Sequence, residues 1–161
     1  MFPLILVIVA LTVWLLAAPG SRFVKDFSGL LTNPVVQQGA FSFFSGRSFL
    51  SGAYANREVA VRLQLKRGKY QQGYLVIAMR TQAARALDGS EVDTRTRGEA
   101  GRRALFTLAA QDLLLSVEDG WLKTLWRPHG FMIFPGRFSE TKWRPVLDAM
   151  QAVAGSLDTV A

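Results

Sequence analysis

The side chains that could support catalysis are few and far apart in this chain. His129 is the single histidine, so a zinc site would need carboxylates for every other ligand, and a serine triad would depend on this one imidazole. No G-x-S-x-G sequence supplies a serine nucleophile, and the absence of cysteine excludes thiolate metal sites, disulfides and a cysteine nucleophile. Because His129 lies between turn-forming residues in RPHGF, we expect it to be a loop residue, and we expect no metal site and no cofactor.

Two short groups of carboxylates are the remaining candidates for acid and base chemistry. Glu91 and Asp93 lie in LDGSEVDTRTRGEAG, which is typical of a solvated loop, and Glu118 and Asp119 directly precede a glycine in a predicted turn. Neither pair resembles an acid and a base held at a fixed separation. The sequence therefore favours a non-enzymatic role.

Basic residues offer a second kind of chemistry, the binding of anions. The formal net charge is +7, and residues 57–103 carry 11 of the 19 basic residues but only 5 of the 12 acidic ones. Lys66, Arg67 and Lys69 surround a glycine at a predicted hairpin tip and could bind phosphate groups of an anionic surface. The alternative is that these charges only keep the hairpin soluble and protect a strand edge.

Arg102 and Arg103 form a second basic group at the start of a predicted helix, where the helix dipole disfavours cations unless an anion is near. Aromatic residues are concentrated in the last third of the chain. We expect most of them in the core and one or two at a contact surface. They are Trp121, Trp126, Phe131, Phe134, Phe138 and Trp143.

The opening segment, MFPLILVIVALTVWLLAAPGSRF, favours insertion into a membrane. Residues 2–18 include no charged side chain, and their 11 Phe, Leu, Ile and Val residues each contribute about −0.3 to −0.6 kcal/mol to insertion near a helix centre. A retained anchor is favoured over a cleaved signal, because no basic residue precedes the apolar run and Pro19 follows it. A core helix is disfavoured, because the segment has no polar stripe. We expect residues 1–18 to form a transmembrane signal anchor through Leu4, Ile5, Leu6, Val7, Ile8, Val9, Leu11, Val13, Trp14, Leu15 and Leu16.

The charges that flank this segment predict its orientation. Arg22 and Lys25 follow the apolar run, whereas no basic side chain precedes it. The positive-inside rule then leaves the following domain in the cytoplasm. An extracytoplasmic domain is the alternative, because the bias rests on two side chains.

Residues 41–161 are predicted to form one α+β domain, an antiparallel sheet of about five strands with two helices on one face. The alternation of Val59, Val61, Leu63 and Leu65 with polar or small residues is the clearest strand signal. The strand predicted at 70–80 is apolar on both sides, so it is expected to lie at the centre of the sheet. Strands are predicted at 48–54, 58–66 and 70–80, in a hairpin around Asp119–Gly120, and in GFMIFPGRF.

Helical periodicity follows Arg102 and returns after Pro145. In the first helix a polar stripe of Arg103, Thr107 and Gln111 is expected opposite an apolar side that includes Phe106. Residues 19–40 are interpreted as a linker and residues 81–101 as a mobile loop. The final helix is expected to bury Val146, Met150, Val153, Ala154 and Leu157.

These features predict a single-pass membrane-anchored accessory or scaffold protein whose basic domain contacts a larger membrane complex or the bilayer surface. Membrane lipid and other subunits of such a complex are the expected partners. Two alternatives remain open. One is a membrane-tethered hydrolase whose residues meet only in the fold, and the other is a membrane-held nucleic-acid binder, although nucleic acid is not the expected partner.

Replacing Lys66, Arg67 and Lys69 by Glu tests the predicted anionic-surface contact. If these residues bind an anionic partner, the reversed charges repel it, and the fraction of the protein that associates with the partner falls substantially. Co-purification in mild detergent measures that fraction. Unchanged association would indicate charges that serve only the solubility of the hairpin.

Overall fold

A computed structural model describes residues 6–7, 23–37, 48–66, 72–82, 86–126 and 143–159 of the chain. The described part is an α+β arrangement in which six antiparallel strands form one sheet. The strands are β1 (Thr32–Val36), β2 (Ser48–Tyr54), β3 (Arg57–Lys66), β4 (Gln72–Arg80), β5 (Leu113–Glu118) and β6 (Trp121–Trp126), in the spatial order β1-β2-β3-β4-β6-β5.

Two tight turns connect neighbouring strands where the sequence predicts them. Asn56 (φ 66°) follows Ala55 (φ 47°) between β2 and β3, and Gly120 (φ 73°) follows Asp119 (φ 53°) between β5 and β6. Two consecutive residues with positive φ match the right-handed twist of the strands they join. Both hairpin turns are thereby confirmed.

The central position of β4 is also confirmed. It pairs with β3 through partners such as Val61 and Ile77, and with β6 through partners such as Met79 and Leu122. Residues 75–79 are all buried, so the strand is covered on both faces. A run without polar alternation is what burial on both sides requires.

Four helices accompany the sheet in the described residues. The long C-terminal helix buries the five residues predicted from its periodicity, together with Trp143, Leu147 and Ala149. The apolar side of this helix and alternate residues of the strands belong to one hydrophobic cluster. The helix therefore packs on one face of the sheet. The helices are α1 (residues 23–28), α2 (Gly89–Arg95), α3 (Gly98–Ala109) and α4 (Trp143–Asp158).

The interpretation of residues 19–40 as a linker is wrong for its described part. Within residues 23–36, α1 contributes Phe23 and Phe27 to the core, both at most 1% exposed, and β1 pairs with β2 as an edge strand. The misleading signal is Asn33-Pro34. Asn33 has φ 49°, and the register of β1 shifts between Thr32 and Val35, so these residues form an irregularity in an edge strand, where proline is tolerated.

The rings of Phe23, Phe27 and Trp143 form an aromatic cluster that joins α1 to α4. The centroid distances are 5.4 Å between the two phenylalanines, 5.3 Å from Phe23 to Trp143 and 5.7 Å from Phe27 to Trp143. Tilted and edge-on contacts at such distances add about 0.5–1.5 kcal/mol per pair beyond the burial of area. The chain is thus fixed in the core from residue 23 onward.

The interpretation of residues 81–101 as a mobile loop is also wrong for its described part. Asp88 accepts hydrogen bonds from the N–H groups of Ser90 and Glu91, and the Glu91 carboxylate accepts one from the Asp88 N–H. This reciprocal capping box starts α2, which buries Val92. Leu87 forms an antiparallel bridge with Val117 and so covers part of the β5 edge.

Other predictions fall outside the described residues. They concern His129, the strand in GFMIFPGRF, the glycine at the predicted hairpin tip (Gly68) and, except for Leu6 and Val7, the opening apolar segment. Among the helices that the structure describes, none combines the length and the apolar character needed to cross a membrane.

Replacing Phe27 by Ala is expected to destabilise the domain by about 3–5 kcal/mol, because it leaves a cavity between α1 and α4. Urea denaturation of the full chain in mild detergent, followed by circular dichroism, measures the change. The control is Val35→Ala on β1, where the side chain is 59% exposed and a change of about 0.5 kcal/mol or less is expected. Equal small effects of both variants would contradict the packing of α1 in the core.

Candidate functional site

The residues predicted to contact anions or lipid lie mainly outside the described part of the chain. Lys66 is the last residue of β3, and its backbone pairs with Gln72, while Arg67 and Lys69 are not among the described residues. Of the predicted anchor residues, Leu6 and Val7 are described as helical, with 68% and 58% of their surfaces exposed. Within the described residues, exposed basic side chains lie next to each other on α3, at Arg102 and Arg103.

The outward side of α3 carries an exposed phenylalanine among basic residues. Phe106 is 78% exposed, and Arg102 and Arg103, four and three residues before it, are also exposed. Residues three and four apart lie next to each other on a helix surface, so the three side chains share one side of α3. We call Arg102, Arg103 and Phe106 the basic-aromatic surface.

The prediction that Phe106 lies on the apolar side of its helix is wrong. The buried residues of α3 are Gly101, Ala104 and Leu108, and Phe106 is two positions from each of the last two, which places it about 200° around the helix. A Cβ added at Gly101 would lie 2.5 Å from the γ-methyl carbon of Thr96, the residue that directly follows α2, so Thr96 leaves no room for a larger residue at this position. The Ser156 hydroxyl oxygen of α4 would lie 3.7 Å away, which is an ordinary contact.

The helix start also changes the electrostatics expected for the two arginines. Because α3 begins at Gly98, Arg102 and Arg103 lie in its second turn and not at its N-terminus, where the dipole would disfavour them. Arg103 forms an ion pair with Glu99 one turn earlier, and both side chains remain 78% exposed. Such an exposed pair is weak, so the Arg103 guanidinium stays accessible to other anions.

A more buried polar cluster ties the end of α4 to the sheet. The Asp158 carboxylate forms a salt bridge with Arg57 Nη2 at 2.6 Å. It also accepts hydrogen bonds from the Thr81 hydroxyl at 2.6 Å and from the Gln82 N–H at 2.7 Å. Arg57 also donates to the Arg80 carbonyl at 3.1 Å. Burial alone raises the pKa of Asp158, but these hydrogen bonds and the Arg57 charge outweigh it, so the pKa lies below its ordinary value of 3.8.

A second polar contact joins the middle of α4 to β2. The Tyr54 hydroxyl donates a hydrogen bond of 2.5 Å to Asp148. Burial, followed by this hydrogen bond and the Asp148 charge, raises the pKa of Tyr54, while Arg144 opposes the shift. A tyrosine with a raised pKa is not activated as a base or a nucleophile, so the contact holds the fold together.

One carboxylate of each pair considered from sequence has a local structural partner. Glu91 belongs to the capping box of α2, and Glu118 accepts a hydrogen bond from Lys123, which lowers the pKa of Glu118. Within the described ranges, no three histidine or acidic side chains cluster in a way that could hold a metal ion. These carboxylates are explained by capping and by a cross-strand ion pair.

The described tryptophans also have places in the fold. Trp143 is buried in the aromatic cluster, and Trp126 is partly buried against the core. The Arg80 guanidinium lies 5.2 Å from the ring centre of Trp121, a cation–π contact that leaves the ring partly covered. Phe106 is thus the aromatic residue that the described structure leaves exposed.

Comparisons with known proteins add no family assignment. No protein-family model matches the chain, and no significantly similar chain was found among curated proteins or solved structures.

Asp158→Asn is expected to destabilise the folded chain by about 2–4 kcal/mol near neutral pH, since Arg57 loses its charged partner. The pKa of Asp158 is lower in the folded chain than its ordinary value of 3.8. The charged carboxylate therefore stabilises the fold above pH 3.8, and this stabilisation is lost as the pH falls through the pKa of the folded state. The variant should therefore lose less stability on acidification than the parent does. Denaturation of the full chain in detergent at several pH values measures both effects.

The matched control for this prediction is Asp93→Asn, which removes an exposed carboxylate from α2. It should change the stability by about 0.5 kcal/mol or less. If Asp158→Asn behaved like this control at neutral pH, the cluster would not hold α4 to the sheet.

Proposed function

We propose that this protein is a membrane-anchored accessory protein that holds a compact binding domain directly at the bilayer surface. Residues 1–18 form the anchor, and the domain lies on the cytoplasmic side. Its role is to position a contact surface at the membrane, either toward lipid or toward a larger membrane complex. It does not act as an enzyme in this proposal.

The aromatic cluster is the observation that carries this proposal. Phe23 is packed against Phe27 and Trp143. Since a chain spans at most about 3.6 Å per residue, the stretch from Ala18 to Phe23 reaches no farther than about 18 Å. An anchor that ends at Ala18 would therefore hold Phe23, a residue of the hydrophobic core, within that distance of the membrane boundary.

The distribution of polar contacts supports a binding role over catalysis. Asp158, whose side chain is 13% exposed, has partners that connect α4 to the first residue of β3 and to the residue after β4. Tyr54 and Asp148 connect α4 to β2. These side chains stabilise the scaffold, whereas the arginines of α3 point outward and have the chemistry of a contact surface.

The charges next to the apolar segment support the cytoplasmic orientation. Lys25 on α1 is exposed, and Arg22 precedes it by three residues. Basic residues close to the end of a membrane span are retained on the cytoplasmic side, where they also meet anionic headgroups.

The anchor is tested by introducing charge into the apolar segment. The parent chain is expected to remain in the membrane pellet after an alkaline carbonate wash and to dissolve only with detergent. Leu11→Arg combined with Val13→Arg opposes insertion by about 2.5–3.5 kcal/mol per residue, which is comparable with the total apolar gain. This variant should therefore be extracted by the wash, as measured by immunoblotting of pellet and supernatant.

The control places two arginines at exposed positions of the domain, Gln82→Arg and Ala86→Arg, and should stay in the pellet like the parent. Carbonate extraction of the parent, or a mature chain that begins near Pro19, would contradict the anchor. In either case the domain would have to function without a membrane attachment.

A further inference from the structure

We propose that the basic-aromatic surface of α3 binds the headgroup region of an anionic bilayer. This inference rests on the proposed anchored function and specifies the partner of the domain as the membrane lipid itself. Arg102 and Arg103 bind lipid phosphates, and Phe106 enters the boundary between headgroups and acyl chains.

The exposure of Phe106 has no explanation within the described fold. The other phenylalanines of the described residues, Phe23 and Phe27, are at most 1% exposed, whereas Phe106 is 78% exposed. An exposed phenylalanine loses the free energy that burial would provide. A surface into which the ring can insert supplies that burial.

The chemistry around Phe106 matches a lipid boundary. Guanidinium groups bind phosphate with paired hydrogen bonds, and arginine carries its charge at any physiological pH. Helices that lie on membranes combine basic side chains with aromatic or large aliphatic residues that reach the acyl boundary. Arg102 and Arg103 lie within one turn of Phe106, so phosphate binding and ring insertion take place at one spot.

The tether makes a weak surface sufficient. A domain held close to the bilayer experiences its lipid partner at a high effective concentration, so binding needs little intrinsic affinity. The small area of one ring and two guanidinium groups would not retain a free domain on a membrane. It is enough to orient an anchored domain with α3 toward the lipid.

The chain contains no cysteine, which allows a single spin label to report the depth of α3. Ala109 is exposed and lies three residues after Phe106, so Ala109→Cys places the label beside the surface without removing any member of it. Glu58→Cys is the matched control, because Glu58 is exposed and lies on the sheet face opposite the buried Val59. The labelled full chains are reconstituted into phosphatidylcholine vesicles with or without phosphatidylglycerol.

We expect the label at position 109 to become accessible to oxygen and protected from a water-soluble nickel complex only in vesicles that contain phosphatidylglycerol. Arg102→Gln combined with Arg103→Gln should lower the ratio of docked to undocked domain about thirtyfold. Phe106→Ser should return the label to water while the charge is unchanged. The label at position 58 should remain in water in both kinds of vesicle.

Vesicle flotation separates failure of this inference from failure of the anchor. If the protein floats with both vesicles but the label at 109 stays in water with phosphatidylglycerol, the lipid-binding surface is refuted while the anchor stands. The same conclusion holds if the label at 58 is immersed in place of the label at 109. If the protein does not float with either vesicle, the anchor and this inference both fail.

Discussion

The burial of Phe23 and Phe27 against Trp143 is the constraint on which the arrangement of this protein depends. These rings connect the chain that follows the apolar segment to the first turn of α4. Large aromatic side chains provide most of the burial energy available to a short helix such as α1, which would not be stable alone. The attachment of the domain to the proposed anchor is therefore rigid from residue 23, and its geometry is set by the core.

Helix α4 extends this constraint across the domain. Trp143 binds α1 at one end, Asp148 accepts a hydrogen bond from Tyr54 of β2, and Asp158 holds Arg57 and Thr81 at the other end. Its buried stripe covers the centre of the sheet between these contacts. Because α3 packs on α4, and α4 contacts α1 through Trp143, the outward side of α3 is held at a defined position relative to α1.

Much of this fold could be predicted from local patterns, and the differences have physical causes. The alternation in β3, the Asp119-Gly120 turn and the periodicity of α4 are local signals, and the structure agrees with them. Residues 23–36 resemble a linker because Asn33-Pro34 usually marks a turn. Pairing with β2 is what makes Thr32–Val36 an edge strand. Phe106 was predicted on the apolar side because it was placed opposite the polar stripe of Arg103, Thr107 and Gln111, whereas the structure buries Gly101, Ala104 and Leu108. The spacing of these three residues, three and then four positions apart, was the available signal.

The central claim is that the chain after the apolar segment belongs to the folded core and is not a flexible tether. Hydrogen exchange of the full chain in lipid vesicles tests it at the N–H groups of Gly29, Leu30 and Leu31, which donate to the carbonyls of Lys25, Phe27 and Ser28. The account predicts protection close to that of the central strand β4, because these amides open only when the aromatic cluster does. Exchange at the rate of an unstructured chain, with β4 still protected, would contradict it.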